Sequence, residues 1–290
     1  MNKKAALVLS GGAARGLAHI GVIEELERQN YKISSLSGNS MGAFIGAVYV
    51  MNKLPEFKDW ILTLDKKNIF KYLDFSFGKQ GFIKGNKIIN KLKTFFPDTD
   101  IKNLQIPFSI VAGDIQNMKE VVFTEGSLYE AIRASVSVPG IFKPVKKDTM
   151  ILVDGGVVNP IPINRVKRTK NDLLIASYVN AEIPYFPVFE DKQYIKDLET
   201  DYKRKINEFK NKLNNILSKE NKEKLNYFTL LSKSTNLLTH KLSVMNIEKY
   251  KPDILINISR RSASHFDFLK AKELIEAGRK ATKESLRKVN

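Results

Sequence analysis

The stretch Tyr31-Lys32-Ile33-Ser34-Ser35-Leu36-Ser37-Gly38-Asn39-Ser40-Met41-Gly42-Ala43-Phe44-Ile45-Gly46-Ala47-Val48-Tyr49-Val50-Met51 decides the fold class. Tyr31–Ser37 reads as a strand. A glycine-flanked serine follows it. Ala43–Met51 is apolar nearly all round, so it reads as a buried helix. Strand, tight turn and helix in that order begin a parallel sheet covered by helices.

The residues before this stretch repeat the order. Ala5–Leu9 is a short apolar run ended by Ser10-Gly11-Gly12. Leu17, Ile20, Ile23 and Leu26 then recur at helical spacing, with Glu24, Glu25, Glu27 and Arg28 on the other face. Beyond it, Phe108–Asp114, Glu120–Thr124, Met150–Val153, Leu173–Val179 and Asp253–Ile258 read as strands. Leu128–Ala134 and Leu269–Arg287 read as helices. Leu54 to about Asp100 alternates lysines with aromatics such as Trp60, Phe70, Tyr72, Phe75, Phe77 and Phe82. Asp191–Lys224 carries Ile195, Leu198, Tyr202, Ile206, Phe209, Leu213 and Ile216 at three-to-four spacing, a long amphipathic helix or helix pair with a basic outer face. We expect a catalytic core over 4–170 and the rest of the same domain over 171–290. The latter holds a helical insertion at about 190–250 and a final strand and helix at 253–287.

Composition narrows the chemistry. The 290 residues contain no cysteine, which excludes disulfides and cysteine-ligated metals. The three histidines, His19, His240 and His265, are scattered, and no metal or cofactor is expected. The net charge of +17 is mostly lysine excess. Coding bias produces such an excess; a basic surface also attracts anionic membrane. No recognisable nucleic-acid module is present, and no nucleic-acid partner is expected. No run approaches the ~18 apolar residues of a membrane span. Ala5–Leu9 is too short for the apolar region of a signal peptide, so a cytoplasmic location is expected, with peripheral contact at the inner face of an anionic membrane.

Three segments carry chemistry. Gly38-Asn39-Ser40-Met41-Gly42 is a G-x-S-x-G pattern. A nucleophilic serine must stand clear of its backbone at a strand end, in a turn whose flanking positions tolerate little beyond glycine. The following helix points its N-terminus at Ser40, which favours a developing oxyanion. Ser10-Gly11-Gly12-Ala13-Ala14-Arg15-Gly16 directly follows the first strand, and such a run of small residues exposes backbone N–H groups in a concave nest. Such a nest binds a phosphate or stabilises an oxyanion, and a structural glycine turn fits the same residues equally well. The segment lacks the Gly-Lys-Ser/Thr ending of a Walker loop and the second glycine of the dinucleotide fingerprint. Asp154-Gly155-Gly156 ends a strand. The carboxyl ends of parallel strands share one edge of the sheet, so Asp154 is expected beside Ser40 although about 114 positions separate them.

With these segments in this order, the sequence resembles the patatin-like phospholipase family. The resemblance covers roughly Lys4 to Val166 and includes Leu9–Val22, Gly38–Gly42, Ala134–Phe142 and Asp154–Gly156. It implies a three-layer α/β/α sandwich with a mainly parallel central sheet, here with a helical lysine-rich insertion. It implies Ser40 as nucleophile and Asp154 as its base. Gly11, Gly12 and Ala13 would form the oxyanion hole, steadied by Arg15 and Gly16, with Gly38, Gly42, Gly155 and Gly156 shaping the turns. The implied substrates are phospholipids, lysophospholipids and other acyl esters, cleaved without calcium. One departure stands out: the family usually has a third glycine where this chain has Ala13. A carboxylate near pKa 4 is a poor base at neutral pH, so Asp154 should be desolvated to raise its pKa.

Two other readings remain. The order Ser40, Asp154, His265 also matches the triad of an α/β-hydrolase. Against it, Ser40 follows only two strands, and His265 lies in a polar loop. A basic peripheral membrane protein that binds lipid without turnover is the non-enzymatic alternative; the presence of Ser40 and Asp154 together opposes it. His19 reads as a satisfied buried histidine.

Overall fold

Ala5 to Leu9 are wholly buried, so β1 (Lys3–Leu9) has no solvent face beyond its first residues. That is why its apolar run is continuous rather than alternating. The two faces differ in what covers them. Ala5, Leu7 and Leu9 join one hydrophobic cluster, and Ala6 and Val8 another, with the two-residue period of a strand. The structure, a computed structural model, describes residues 3–65, 68, 69, 72, 85–188 and 227–288.

β1 lies inside the sheet. It pairs in parallel with β2 (Tyr31–Asn39) on one side and with β7 (Asp172–Ala181) on the other. β2 continues in parallel to β3 (Phe108–Asp114), and β7 to β8 (Ile254–Ser259). Three further strands complete the order β5-β6-β3-β2-β1-β7-β8, with β4 also on β3. They are β4 (Lys119–Phe123), β5 (Val145–Lys147) and β6 (Met150–Asp154). The strands after residue 171 therefore complete the sheet that the first half begins.

The larger core covers one face. It gathers α1 (Ala18–Arg28), α2 (Met41–Val50), α3 (Leu54–Leu62), α4 (Asn86–Leu92), α5 (Leu128–Ser135) and α7 (Ala271–Arg287). α2 is buried at eight of its ten positions, as its unbroken apolar sequence requires. α1 and α7 approach closely: a Cβ on Gly278 would strike the backbone carbonyl of Ala18. On the opposite face, Ile161, Ile163 and Val166 pack on Ala6, Val8, Leu174, Ala176 and Tyr178. Ile247 and Tyr250 of α6 (Tyr227–Tyr250) add to that layer. The result is a three-layer α/β/α sandwich. Among the described residues no helix is long and apolar enough to cross a membrane.

The structure corrects one expectation. β6 does not run parallel to β2; it pairs antiparallel with β3 and β5. Asp154 therefore reaches Ser40 by a different route. β4 occupies one edge of β3 from Ile110 to Asp114. The other edge is shared end to end: β2 pairs with Phe108–Val111, and β6 with Ala112–Asp114. Asn39 registers with Val111 and Asp154 with Ala112, so the two strands meet head-on with their last residues adjacent.

α3 and α4 add elements where the sequence showed only mixed character, and β5 adds a short strand where none was expected. Phe44, Phe57, Trp60 and Tyr72 form an aromatic chain, with centroids 5.5, 5.4 and 5.1 Å apart in succession. Phe70, Phe75, Phe77 and Phe82, and the helix expected over Asp191–Lys224, lie outside the described residues.

Candidate active site

Where β2 gives way to α2, Ser40 adopts φ 53° and ψ −124°. An L-residue held there costs about 1–3 kcal/mol, so its surroundings must fix it. They do so from both sides. The Ser40 amide donates to Ser135 Oγ at 2.8 Å, and that hydroxyl donates to Val111 O at 2.6 Å. The Ser40 carbonyl accepts the first turn of α2 from Phe44 N at 3.0 Å. The flanking glycines serve close approach rather than unusual dihedrals. A Cβ on Gly38 would lie 2.7 Å from Ala43 N, and one on Gly42 would strike the Leu9 and Ser10 carbonyls. The positive φ belongs to the serine itself.

Asp154 is 6% exposed. Its amide donates to Ser137 O at 2.9 Å, and its Oδ1 accepts the Gly156 amide at 2.7 Å. Oδ2 has no formed hydrogen bond among the described residues. Burial pushes the carboxyl up to about 6; the Ser40 hydroxyl and the Gly156 amide act in the opposite sense. A carboxyl so raised can accept a proton near neutrality, and here one oxygen is tied down and one is open. Asn39, next to Ser40 in the chain, leaves Oδ1 without a partner among the described residues as well. Gly155 packs against the Val111 carbonyl, where a side chain has no room.

The glycine loop is pinned by residues distant in sequence. Gly11 N donates to Pro160 O at 3.0 Å, so that amide is occupied. Gly11 O accepts from Asn180 Nδ2 at 2.7 Å. Arg15 grips Asn180 Oδ1 through Nε (3.0 Å) and Nη2 (2.7 Å), and Ala263 O through Nη1 (2.8 Å). Ala14 N donates to His265 O at 3.2 Å. Gly16 lies directly against the Met41 side chain. The amides of Gly12 and Ala13 find no acceptor among the described residues, as first-turn N–H groups do. Ala13 takes the left-handed φ of 49° that a third glycine would adopt without strain.

The histidines divide by environment. His19 is fully buried, with Nδ1 2.9 Å from Ser177 Oγ and Nε2 2.8 Å from Ser10 O. Burial pulls it down to about 4. His240 sits 3.2 Å from the Tyr178 hydroxyl. His265 lines the site beside Ser40. Sequence reasoning missed Ser135, Asn180 and Pro160, which position the serine and the loop. Ser135 lay inside the Ala134–Phe142 segment, and nothing local marks its role.

Two cavities meet at Ala13, Ser40, Val138 and His265. One is apolar and runs under α2 and α3, walled by Phe44, Phe57, Trp60, Ile61, Tyr72 and Phe142. The other is polar and holds Gly12, Arg15, Asp154, Asn180, His240 and Arg260. An ester placed at Ser40 would have an apolar slot on one side and a polar one on the other.

A family model described as patatin-like phospholipase matches residues 7–166. An NTE family protein of Mycobacterium tuberculosis is 38% identical over 177 residues, 61% of this chain and 49% of that protein. Patatin-like phospholipase domain-containing protein 6 of Mus musculus is 30% identical over 184 residues, 61% of this chain and 14% of that protein. The chain thus spans about half the length of the first relative and less of the second. VipD from Legionella pneumophila aligns over 99% of this chain and 67% of its own, with a TM-score of 0.49 and 16% identity.

Proposed function

The chain belongs to the patatin-like phospholipase family, and on that premise we propose that it is a serine-dependent lipid acyl hydrolase of the phospholipase A, lysophospholipase or carboxylesterase type. The observation that carries this reading is Asp154: a buried carboxyl raised to about 6, with one open oxygen, acted on by the hydroxyl of a strained Ser40. In the mechanism, Ser40 Oγ attacks the ester carbonyl and its proton passes to Asp154. The tetrahedral oxyanion rests on the Gly12 and Ala13 amides. Each such donor contributes about 2.7–4 kcal/mol in the transition state. Gly11 belongs to the loop, but its amide is committed to Pro160, so its part is to hold the other two. Asp154 returns the proton to the departing alkoxide, leaving an acyl-Ser40 ester. Water, with Asp154 again as base, then releases the fatty acid. No metal enters these steps.

Peripheral contact with an anionic membrane belongs to the same proposal. α6 exposes Leu230, Leu231, Leu237, Leu238 and Met245, and its exposed lysines include Lys233 and Lys241. Leucines beside lysines suit an interface of acyl chains and anionic head groups. Thr235 and Thr239 of the same helix line the polar cavity, so such contact would bring lipid to the site's mouth.

His265 supplies a second reading, a Ser40-Asp154-His265 triad, because it lines both cavities next to Ser40. Against it, Ser40 and Gly156 are the groups acting on the Asp154 carboxyl. Labelling with a fluorophosphonate and peptide mass spectrometry tests the hydrolase reading. A phosphonyl adduct on the peptide containing Ser40, absent in Ser40→Ala, is expected. An inert protein, or an adduct on another serine, would sink it.

A further inference from the structure

The sheet does not end level on its catalytic side. Asn39, the last residue of β2, registers with Val111, but β3 runs on to Asp114. At about 3.3 Å per residue, that carries β3 about 10 Å past the end of β2. β4 returns from Lys119, which pairs with Asp114, so Ile115-Gln116-Asn117-Met118 is the tip of a projecting hairpin. The β5–β6 hairpin stands beside it: Ile115 N donates to Ile151 O at 3.0 Å, and Ile151 pairs with Lys146. Asp114 fixes the tip. Its buried carboxylate accepts the amides of Gln116 (3.1 Å) and Asn117 (3.4 Å), the Asn117 side chain (2.6 Å) and Ile151 N (3.2 Å).

With those polar groups turned back onto Asp114, the tip presents apolar side chains to solvent: Ile115 is 52% exposed and Met118 is 91% exposed. One exposed apolar residue would be ordinary. Here two share one fixed turn, and positive charge accompanies them. Lys119 follows Met118 directly, and Lys146 lies on the neighbouring hairpin. Both are exposed, and neither forms an ion pair among the described residues. Phe186 adds a third apolar group on the same side of the molecule. It is 74% exposed and follows β7 past Ala181. β7 runs parallel to β1, and β1 to β2, so the end of β7 is also on the catalytic side. In the sheet, β2, which delivers Ser40, lies between β3 and β7.

We propose that the β3–β4 tip anchors the protein in an anionic bilayer: Ile115 and Met118 enter the head-group boundary, Lys119 and Lys146 meet the anionic head groups, and the catalytic end of the sheet faces the membrane. The inference rests on the peripheral-membrane part of the proposed function and deepens it, because it adds a contact away from α6 and sets which end of the sheet faces lipid. Apolar side chains with unpaired lysines beside them suit this partner, and the net charge of +17 draws the whole chain to it. Interfacial apolar faces sink roughly 5–10 Å into the boundary, a depth that a tip about 10 Å past β2 can reach while Ser40 stays behind it.

The chain has no cysteine, so a single one can be introduced and labelled. Met118→Cys and Lys32→Cys, at exposed positions towards opposite ends of the sheet, each carry an environment-sensitive nitrobenzoxadiazole dye. Vesicles of phosphatidylglycerol and phosphatidylcholine should shift the emission of the dye at 118 to the blue, and a spin label on the lipid acyl chain should quench it. The dye at 32 should show neither effect. In unlabelled protein, Ile115→Asp with Met118→Asp should reduce vesicle retention severalfold, whereas Met118→Leu should bind as wild type does. Fluorophosphonate labelling of Ser40 in detergent should persist in both and shows that they fold. Vesicle binding with the dye at 118 still in water, or retention unchanged by the two aspartates, overturns the anchor and leaves α6 as the contact. Failure of the wild type to bind vesicles overturns the anchor and the membrane contact together, while labelled Ser40 would leave the hydrolase reading standing. A solution dimer that the aspartates dissociate without changing vesicle retention assigns the tip to a second copy of the chain and also overturns the proposal.

Discussion

Ser40 and Asp154 hold conformations and charges that the fold has to support at a cost. Asp154 titrates near 6 rather than its ordinary 3.8, with burial as the main cause. A carboxyl raised on folding contributes stability that is fully present below about pH 4 and is lost as the pH rises through 6. Removing its charge should therefore stabilise the protein at high pH. Asp154→Asn is expected to stabilise the protein at pH 8 by on the order of 3 kcal/mol, seen as a higher Tm, and to show a smaller gain at pH 5. Thermal unfolding at the two pH values checks this, and a lower Tm at pH 8 would show that the carboxylate is paired rather than desolvated. Wild-type kcat/KM should fall as pH drops below 6, and a profile flat through that range counts against the Asp154 base. Ser135→Ala removes the acceptor of the Ser40 amide. It should cost about 1–3 kcal/mol of stability and lower kcat more than it alters KM. Ser40 was legible because glycines bracket it in the chain, and Asp154 because two glycines follow it at a strand end. Ser135 and Asn180 were not, because they act on Ser40 and Arg15 across 95 and 165 residues.

Among the elements, periodicity located the strands and helices well wherever one residue type dominated a face. Tyr31–Ser37 is a strand that runs two residues further, to Asn39, and Ala43–Met51 overlaps a helix ending at Val50. Direction was not legible. Met150–Val153 is as apolar as a parallel strand, yet β6 is antiparallel, because an apolar run records burial and not the sense of the chain. The site survived that error since β6 ends where β2 ends, on the same edge of β3. α3 was obscured by charges among aromatics, whose rings Phe57 and Trp60 turn inward to the apolar cavity, and α4 by its lysines. α6 carries the membrane prediction. Leu237→Glu with Leu238→Glu should reduce retention by anionic liposomes severalfold in a sedimentation assay, while fluorophosphonate labelling of Ser40 in detergent persists. Equal retention of wild type and variant would remove α6 from the interface.

At the scale of the molecule, the sandwich brings three distant segments to one junction between an apolar and a polar cavity. Ile61 lines the apolar cavity and is itself buried. Ile61→Trp should lower the ratio of kcat/KM for a sixteen-carbon ester to that for a four-carbon ester by about tenfold; an unchanged ratio would place the acyl chain elsewhere. The net charge of +17 predicts that liposome retention weakens as salt rises. All of this depends on the pairing of Ser40 with Asp154. Hydrolysis of a short-chain p-nitrophenyl ester in the presence of chelator, compared among wild type, Ser40→Ala, Asp154→Ala and His265→Ala, tests that pairing most directly. The account predicts turnover by wild type, near-complete loss in the first two variants and substantial activity in the third. Loss in His265→Ala as severe as in Asp154→Ala, or activity surviving in Ser40→Ala, would contradict it.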